Sequence, residues 1–254
     1  MSALVAIIGG SGMQTLPGLR LREVMPAATP WGAASAPVQR GTLDGTEVLF
    51  LPRHGGVRAI PPHKVNYRAN IAALAAAGAR QVFAFNAVGG IGADFATGAL
   101  VVPDQIIDYT RGREPSFWED ASGEPLHVDF TEPYDRGARQ CLLLGAQVAG
   151  VAVIPRGVYA AMQGPRLESA AEIRRLQRDG CDLVGMTAMP EAALAREKNL
   201  PYASLALVVN AAAGISSVAI TLDAIRAVME HEIPRAVRTL AAAAAYAVAN
   251  QSAP

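Results

Sequence analysis

Charge is scarce in this chain: 17% of its 254 residues are Asp, Glu, Lys or Arg, well below the roughly 25% of an ordinary globular protein. Little of its surface is of the kind that prefers water, which predicts a large core or a covered subunit face. Neither sign is in excess, with 22 basic residues against 22 acidic ones. No Lys/Arg cluster appears, so the basic face that displaces counterions from a nucleic acid is missing. Cysteine is rarer still. Cys141 and Cys181 stand alone, which excludes a disulfide scaffold and any Cys-x-x-Cys metal site. The histidines His54, His63, His127 and His231 are scattered, and no acidic residue lies near the His54–His63 pair, so no metal is expected. The opening Met1-Ser-Ala-Leu-Val-Ala-Ile-Ile-Gly lacks the basic start and cleavage site of a secretion signal. The longest uncharged run, Leu200 to Leu222, could span a bilayer by length. It is interrupted by Pro201, Ser204, Asn210, Gly214, Ser216 and Ser217, and a buried strand followed by a loop explains it better. A cytoplasmic protein with no membrane segment is expected.

What is present is alternation. Strand-like runs at Leu4–Ile8, Glu47–Leu51, Val82–Phe85, Leu100–Ile107, Val158–Met162, Leu183–Val184 and Tyr202–Val209 are interleaved with helical patterns. The helices are predicted at Asn66–Ala77, Asp135–Ala149, Glu168–Arg178, from Glu191 onward, and from Leu222 toward Ala249. Gly78 and Gly180 serve as stop signals. Pro234 is expected to kink or split the last helix. Arg111–Pro133, rich in Gly, Pro, Ser and acids, reads as the longest loop. Strands alternating with helices imply an α/β fold around a largely buried, partly parallel sheet. With no repeat and no linker, residues 1–254 are expected to form a single domain.

Sheets of this kind bind ligands beyond the carboxyl ends of their strands. The first such exit is Gly9-Gly10-Ser11-Gly12, where backbone and hydroxyl could approach an anion, or a tight turn could suffice. It is no dinucleotide fingerprint, because Thr15 replaces the third glycine. It is no nucleophile elbow, because Met13 stands where a glycine is required. Without any Gly-Lys-Ser/Thr the chain is not a P-loop NTPase. At the second exit, Leu51-Pro52-Arg53-His54-Gly55, Arg53 offers a planar fork for phosphate or carboxylate and His54 a second polar group. Further exits are Phe85-Asn86-Ala87-Val88-Gly89-Gly90-Ile91-Gly92, Gln163-Gly164-Pro165-Arg166-Leu167-Glu168 and Gly185-Met186-Thr187-Ala188-Met189-Pro190-Glu191. Glu168 is either a ligand or an acid at a helix N-terminus; Thr187 either donates to an anion or caps. Asn210 ends an apolar strand, and either the fold or a ligand must satisfy its amide. No covalent nucleophile stands beside a base. The remaining set, Ser11, Arg53, His54, the Ala87 backbone and Thr187, suits an oxyanion beside a flat heterocycle held by Glu168 and Asn210.

These exits together resemble the trimeric purine nucleoside phosphorylase and methylthioadenosine phosphorylase family. The resemblance is carried by IIGGSG, LPRHG, PPHKVNYRANI, GALVVPDQIIDYT, QGPRLES and VGMTAMPEAALAREKNLPYASLALVVN, in family order from Ile7 to about Val228. It implies one α/β domain with a twisted mixed sheet flanked by helices and a homotrimer. It also implies a soluble salvage enzyme that needs no cofactor and takes inorganic phosphate as co-substrate. Nucleoside and phosphate are then its small-molecule partners, with no nucleic acid and no membrane. By position, Ser11, Arg53, His54 and Thr187 resemble phosphate ligands, with Ala87 near phosphate and sugar. Met186 resembles the residue beneath the ribose. His127 resembles the histidine that reaches a neighbouring subunit's 5′ pocket, and Thr221, Ala224 and Ile225 resemble the lining of that pocket.

Two departures bear on substrate. Adenine-specific relatives carry Asp-x-Asp where this chain has Asn210-Ala211-Ala212. An amide can donate to a 6-carbonyl, while Glu168 accepts an N1–H, so a 6-oxopurine is expected. Inosine phosphorylases of the family place a histidine before the last helix, whereas Ser216 to Met229 has none. A small apolar lining there suits a methylthio group. That combination resembles the bacterial S-methyl-5′-thioinosine phosphorylases, with inosine/guanosine phosphorylase as the alternative and methylthioadenosine phosphorylase third.

Overall fold

The computed structural model describes residues 4–56, 59–118 and 126–251. The first and last three residues, and 119–125 of the expected long loop, lie outside the described residues. The strands are β1 (Leu4–Gly9), β2 (Arg20–Met25), β3 (Ala28–Thr29), β4 (Gly32–Ala33), β5 (Val38–Leu43) and β6 (Thr46–Pro52). They continue with β7 (Ala79–Gly90), β8 (Leu100–Val101), β9 (Gln105–Asp108), β10 (Val158–Ala161), β11 (Leu183–Gly185) and β12 (Tyr202–Ala211). The helices are α1 (Tyr67–Ala76), α2 (Arg136–Val148), α3 (Ala170–Arg178), α4 (Glu191–Glu197) and α5 (Leu222–Gln251).

All but β3 and β4 join one mixed sheet, in the order β2-β5-β6-β1-β7-β11-β10-β9, with β12 on β7 and β8 on β12. The middle is parallel, and its strands are apolar on both faces, as a strand covered on both sides must be. Val5 and Ile7 of β1 enter one core cluster with α2 and α5 residues such as Leu142 and Leu240. Ala6 and Ile8 enter the other, with Ile71 and Leu74 of α1 and Leu194 of α4. Helices therefore cover both faces.

Long β7 organises the site. β1 pairs with its first half, residues 79–84. β11 arrives antiparallel at Gly89 and Gly90, while β12 runs parallel along Val82–Gly90. One edge of β7 thus loses β1 before it gains β11, and residues 85–88 lie in the gap. The carboxyl ends of β1 and β6 approach that gap from one direction and the carboxyl end of β11 from the other. A crevice at such a switch of neighbours is where open α/β sheets bind ligands.

Several expectations are corrected. Leu100–Ile107 is two strands, because Pro103 lies between β8 and β9 and has no N–H to donate. β2 and β5 have no counterpart in the expected list. β2 is a largely exposed edge strand, Arg-Leu-Arg-Glu-Val-Met, paired antiparallel to β5, with Met25 alone of its residues packed against the core. α5 continues unbroken through Pro234. Its second half lies against α2 so closely that a Cβ on Gly145 would come within 2.5 Å of the Ala243 nitrogen. That packing offsets the one helix hydrogen bond proline removes. No helix among the described residues is long and apolar enough to cross a membrane.

Candidate active site

A cavity of about 310 Å³ opens at the β7 gap, and Ser11, Arg53, His54, Ala87, Glu168, Met186, Thr187, Asn210 and Ile225 all line it. Thr221 and Ala224 do not. They face a neighbouring cavity with Thr97 and Val218, and the Thr221 hydroxyl accepts from the Ala224 N–H at 3.2 Å at the start of α5. Ile220, Leu222, Ile225 and Met229 supply the apolar wall at that end, with Arg226 beside them. His127 is exposed, its ring edge-on to Trp118 at 6.1 Å, and takes no part in this chain's cavity.

Arg53 is the most constrained side chain of the group. It is fully buried, and its Nε and Nη2 each donate to a Glu191 carboxylate oxygen at 2.7 Å. Its Nη1 donates at 2.8 Å to the carbonyl of Phe85, which lies in the gap left by β1. Burial opposes the guanidinium charge, but the Glu191 carboxylate and its hydrogen bonds outweigh burial and raise the pKa. The Tyr202 hydroxyl donates to Glu191 at 2.8 Å. Of five guanidinium N–H groups, three are committed and two remain for a ligand. Gly10 admits this approach, because a Cβ there would stand 2.4 Å from the Phe85 oxygen.

The other polar groups are oriented in turn. His54 Nδ1 lies 2.8 Å from the Ile60 carbonyl, so that nitrogen carries the proton. Burial, then the Arg53 charge, lowers the His54 pKa, which leaves Nε2 of the neutral ring as an acceptor. Ser204 Oγ donates to Asn86 Oδ1 at 2.6 Å, and Asn86 Nδ2 donates to Thr187 Oγ1 at 2.8 Å. The Thr187 oxygen is occupied as an acceptor, so its proton is available to donate. Thr187 caps no helix; Pro190 holds that place in α4.

On the opposite wall, Glu168 precedes α3. Ser169 is the N-cap and Glu172 closes a capping box with it, so the acid that serves this helix start is Glu172 and not Glu168. Glu168 is half-buried, and burial raises its carboxyl pKa. Asn210 follows a bulge in β12, where Val208 pairs with Val88 and Asn210 with Gly89. Bulges re-aim side chains beside sites. Its Nδ2 donates to the Ala211 carbonyl at 2.8 Å, and no described residue bonds its Oδ1. Gly164, at φ +62°, leaves room for Met186, whose sulfur would lie 2.4 Å from a Cβ there. Among the described residues no cluster of His, Cys, Asp and Glu could hold a metal ion.

One cavity thus joins donors for an oxyanion to an amide and a carboxylate suited to a heterocycle. The sequence profile of the phosphorylase superfamily matches residues 4–245. The chain belongs to the phosphorylase superfamily. It is 52% identical to a Pseudomonas syringae pv. tomato protein named a probable S-methyl-5′-thioinosine phosphorylase, over 93% of this chain and 96% of that one. It is 42% identical to the 6-oxopurine nucleoside phosphorylase of Pyrococcus furiosus, over 94% and 91%. The methylthioadenosine phosphorylase of Schistosoma mansoni, solved with adenine, superposes with a TM-score of 0.93 at 31% identity, covering 97% of this chain and 92% of that one.

This phosphorylase-superfamily site includes residues the sequence did not single out. Glu191 and Tyr202 hold Arg53, Ser204 and Asn86 orient Thr187, and Ile220, Leu222, Arg226 and Met229 line the cavity. A polar residue inside a buried strand, as at Asn86 and Ser204, is the signal that could have found the second pair. Glu191 closes the Gly185–Glu191 exit, but nothing local marks Arg53, 138 residues away, as its partner.

Proposed function

We propose that the chain catalyses phosphate-dependent cleavage of S-methyl-5′-thioinosine to hypoxanthine and 5-methylthioribose 1-phosphate. The observation that carries this reading is the wall of one cavity: an oxyanion set, the Glu168/Asn210 pair without a second acid at Ala212, and the end formed by Ile220, Leu222, Ile225 and Met229, with Arg226 beside them. The names of the two relatives above, one a methylthioinosine and one a 6-oxopurine enzyme, support it.

Phosphate takes the two remaining Arg53 N–H groups and the hydroxyls of Ser11 and Thr187, and its own P–OH donates to His54 Nε2. The Glu168 carboxylate accepts N1–H, and Asn210 faces O6 and N7. The C1′–N9 bond breaks with its electron pair passing into the purine, where the Asn210 amide stabilises the charge. A phosphate oxygen then forms the new bond to the oxocarbenium-like C1′, and the proton that the phosphate P–OH gives up passes through solvent to a ring nitrogen of the departing base. Positioning and preorganised donors supply the catalysis; no covalent enzyme intermediate, metal or organic cofactor is required. Met186 lies under the ribose. The active form is a cytoplasmic homotrimer in which exposed His127 reaches the 5′ end of a neighbour's site.

Methylthioinosine, inosine, guanosine and methylthioadenosine, each assayed with and without phosphate, test this reading. Methylthioinosine should have the highest kcat/KM, with no base released in phosphate-free buffer. A preference for inosine would make the chain an ordinary 6-oxopurine phosphorylase. Preference for methylthioadenosine would overturn the assignment of Asn210.

A further inference from the structure

Arg113 sits outside the cavity wall, in the stretch after β9, yet its guanidinium binds the two strand exits that build that wall. Nη1 donates to the carbonyls of Met186 and Met189, beyond β11. Nη2 donates to the carbonyls of Met162 and Gln163, beyond β10, at 3.2 and 2.9 Å. Nη1 also reaches the Tyr67 hydroxyl at 3.3 Å, and the guanidinium lies over that ring at 5.3 Å. Every one of these acceptors is uncharged. A guanidinium spent on backbone carbonyls of two separate loops acts as a spacer, because its planar fork fixes where both sets of oxygens must lie.

The loops so joined carry different parts of the site. The β10 exit continues through Gly164 and Pro165 to Glu168, and the β11 exit supplies Met186 and Thr187. The oxyanion side chains have a further hold of their own, since Asn86 donates to the Thr187 hydroxyl and Glu191 binds Arg53. We propose that Arg113 is a positioning residue for the nucleoside half of the site, setting the spacing between Met186 and the wall that carries Glu168. This inference rests on the function proposed above.

Arg113→Lys keeps the charge, but a single ammonium cannot span both loops as the fork does. Arg113→Met removes the charge as well. Both variants are assayed on methylthioinosine with nucleoside and phosphate varied in turn, beside hypoxanthine binding and thermal melts. Displacing a binding wall by about 1 Å can cost as much as 10²-fold. The nucleoside KM should therefore rise roughly 10- to 100-fold in both variants, hypoxanthine should bind more weakly, and the phosphate KM should stay within about twofold of wild type. If Arg113→Met does not fold, Arg113→Lys carries the test alone. A lower melting temperature with both KM values unchanged, or parallel losses for phosphate and nucleoside, would overturn the inference and leave the proposed function standing. A wild-type enzyme that cleaves no 6-oxopurine nucleoside would overturn both.

Discussion

Arg53 is asked to do two things, and a set of substitutions separates them. Arg53→Met leaves the Glu191 carboxylate fully buried with, among the described residues, the Tyr202 hydroxyl as its side-chain partner. Breaking a buried ion pair from one side costs about 3–5 kcal/mol. At this chain length each kcal/mol lowers Tm by roughly 2–4 °C, so a fall of about 6–20 °C is expected. Arg53→Met with Glu191→Leu removes both charges and should recover most of that loss. What then remains is the unpaired Tyr202 hydroxyl and the Phe85 carbonyl that Arg53 Nη1 had served, each worth about 1–3 kcal/mol, and adding Tyr202→Phe should remove the first. The triple variant should therefore stay within about 1–3 kcal/mol of wild type by urea titration, the remaining loss being that of the Phe85 carbonyl's donor. Its phosphate use should stay broken, because the two free guanidinium N–H groups are gone. At about 1.5–3 kcal/mol for each charge-assisted bond, kcat/KM for phosphate should fall roughly 10²- to 10⁴-fold. The reasoning fails if Arg53→Met costs under about 1 kcal/mol, or if the triple variant turns over with phosphate as wild type does.

Three further outcomes follow from the same geometry. Glu168 must be ionised to accept N1–H and burial raises its pKa, so nucleoside KM should rise as pH falls through a value above the ordinary carboxyl range. The protonated form is the one favoured on folding, so this group's contribution to stability is present at low pH and lost as pH rises through the raised pKa. Rate and stability should thus move oppositely, and Glu168→Gln should abolish both limbs in pH-dependent kinetics and melts. Asn86→Leu removes the donor that fixes Thr187 and leaves the Ser204 hydroxyl unpaired; phosphate KM should rise about tenfold, with a stability loss of about 1–3 kcal/mol, measured by varying phosphate and by denaturation. Asn210→Asp with Ala212→Asp should weaken methylthioinosine use by about 1–3 kcal/mol in steady-state kinetics; unchanged turnover would remove Asn210 from base recognition.

Much of the site was legible because it is local. Each strand exit puts its polar residues one or two positions beyond an apolar run, so Ser11, Arg53, His54, Thr187 and Asn210 could be named from spacing and residue type. The α/β alternation was legible for the same reason: strands buried on both faces leave apolar runs such as Leu4–Gly9 and Leu205–Val209. What Arg53 is bound to was not legible, because its partner Glu191 is brought to it only when α4 packs beneath the sheet. Nor was the edge strand β2, whose charged sequence packs only Met25 against the core and depends on pairing with β5. That α5 is not split at Pro234 goes with its packing on α2, and the division of Ile220–Met229 between two cavities appears only once the start of α5 is set against the sheet. Residue type and strand position are properties of neighbours along the chain; ion-pair partners, edge pairing and cavity walls belong to segments that meet only in the folded chain.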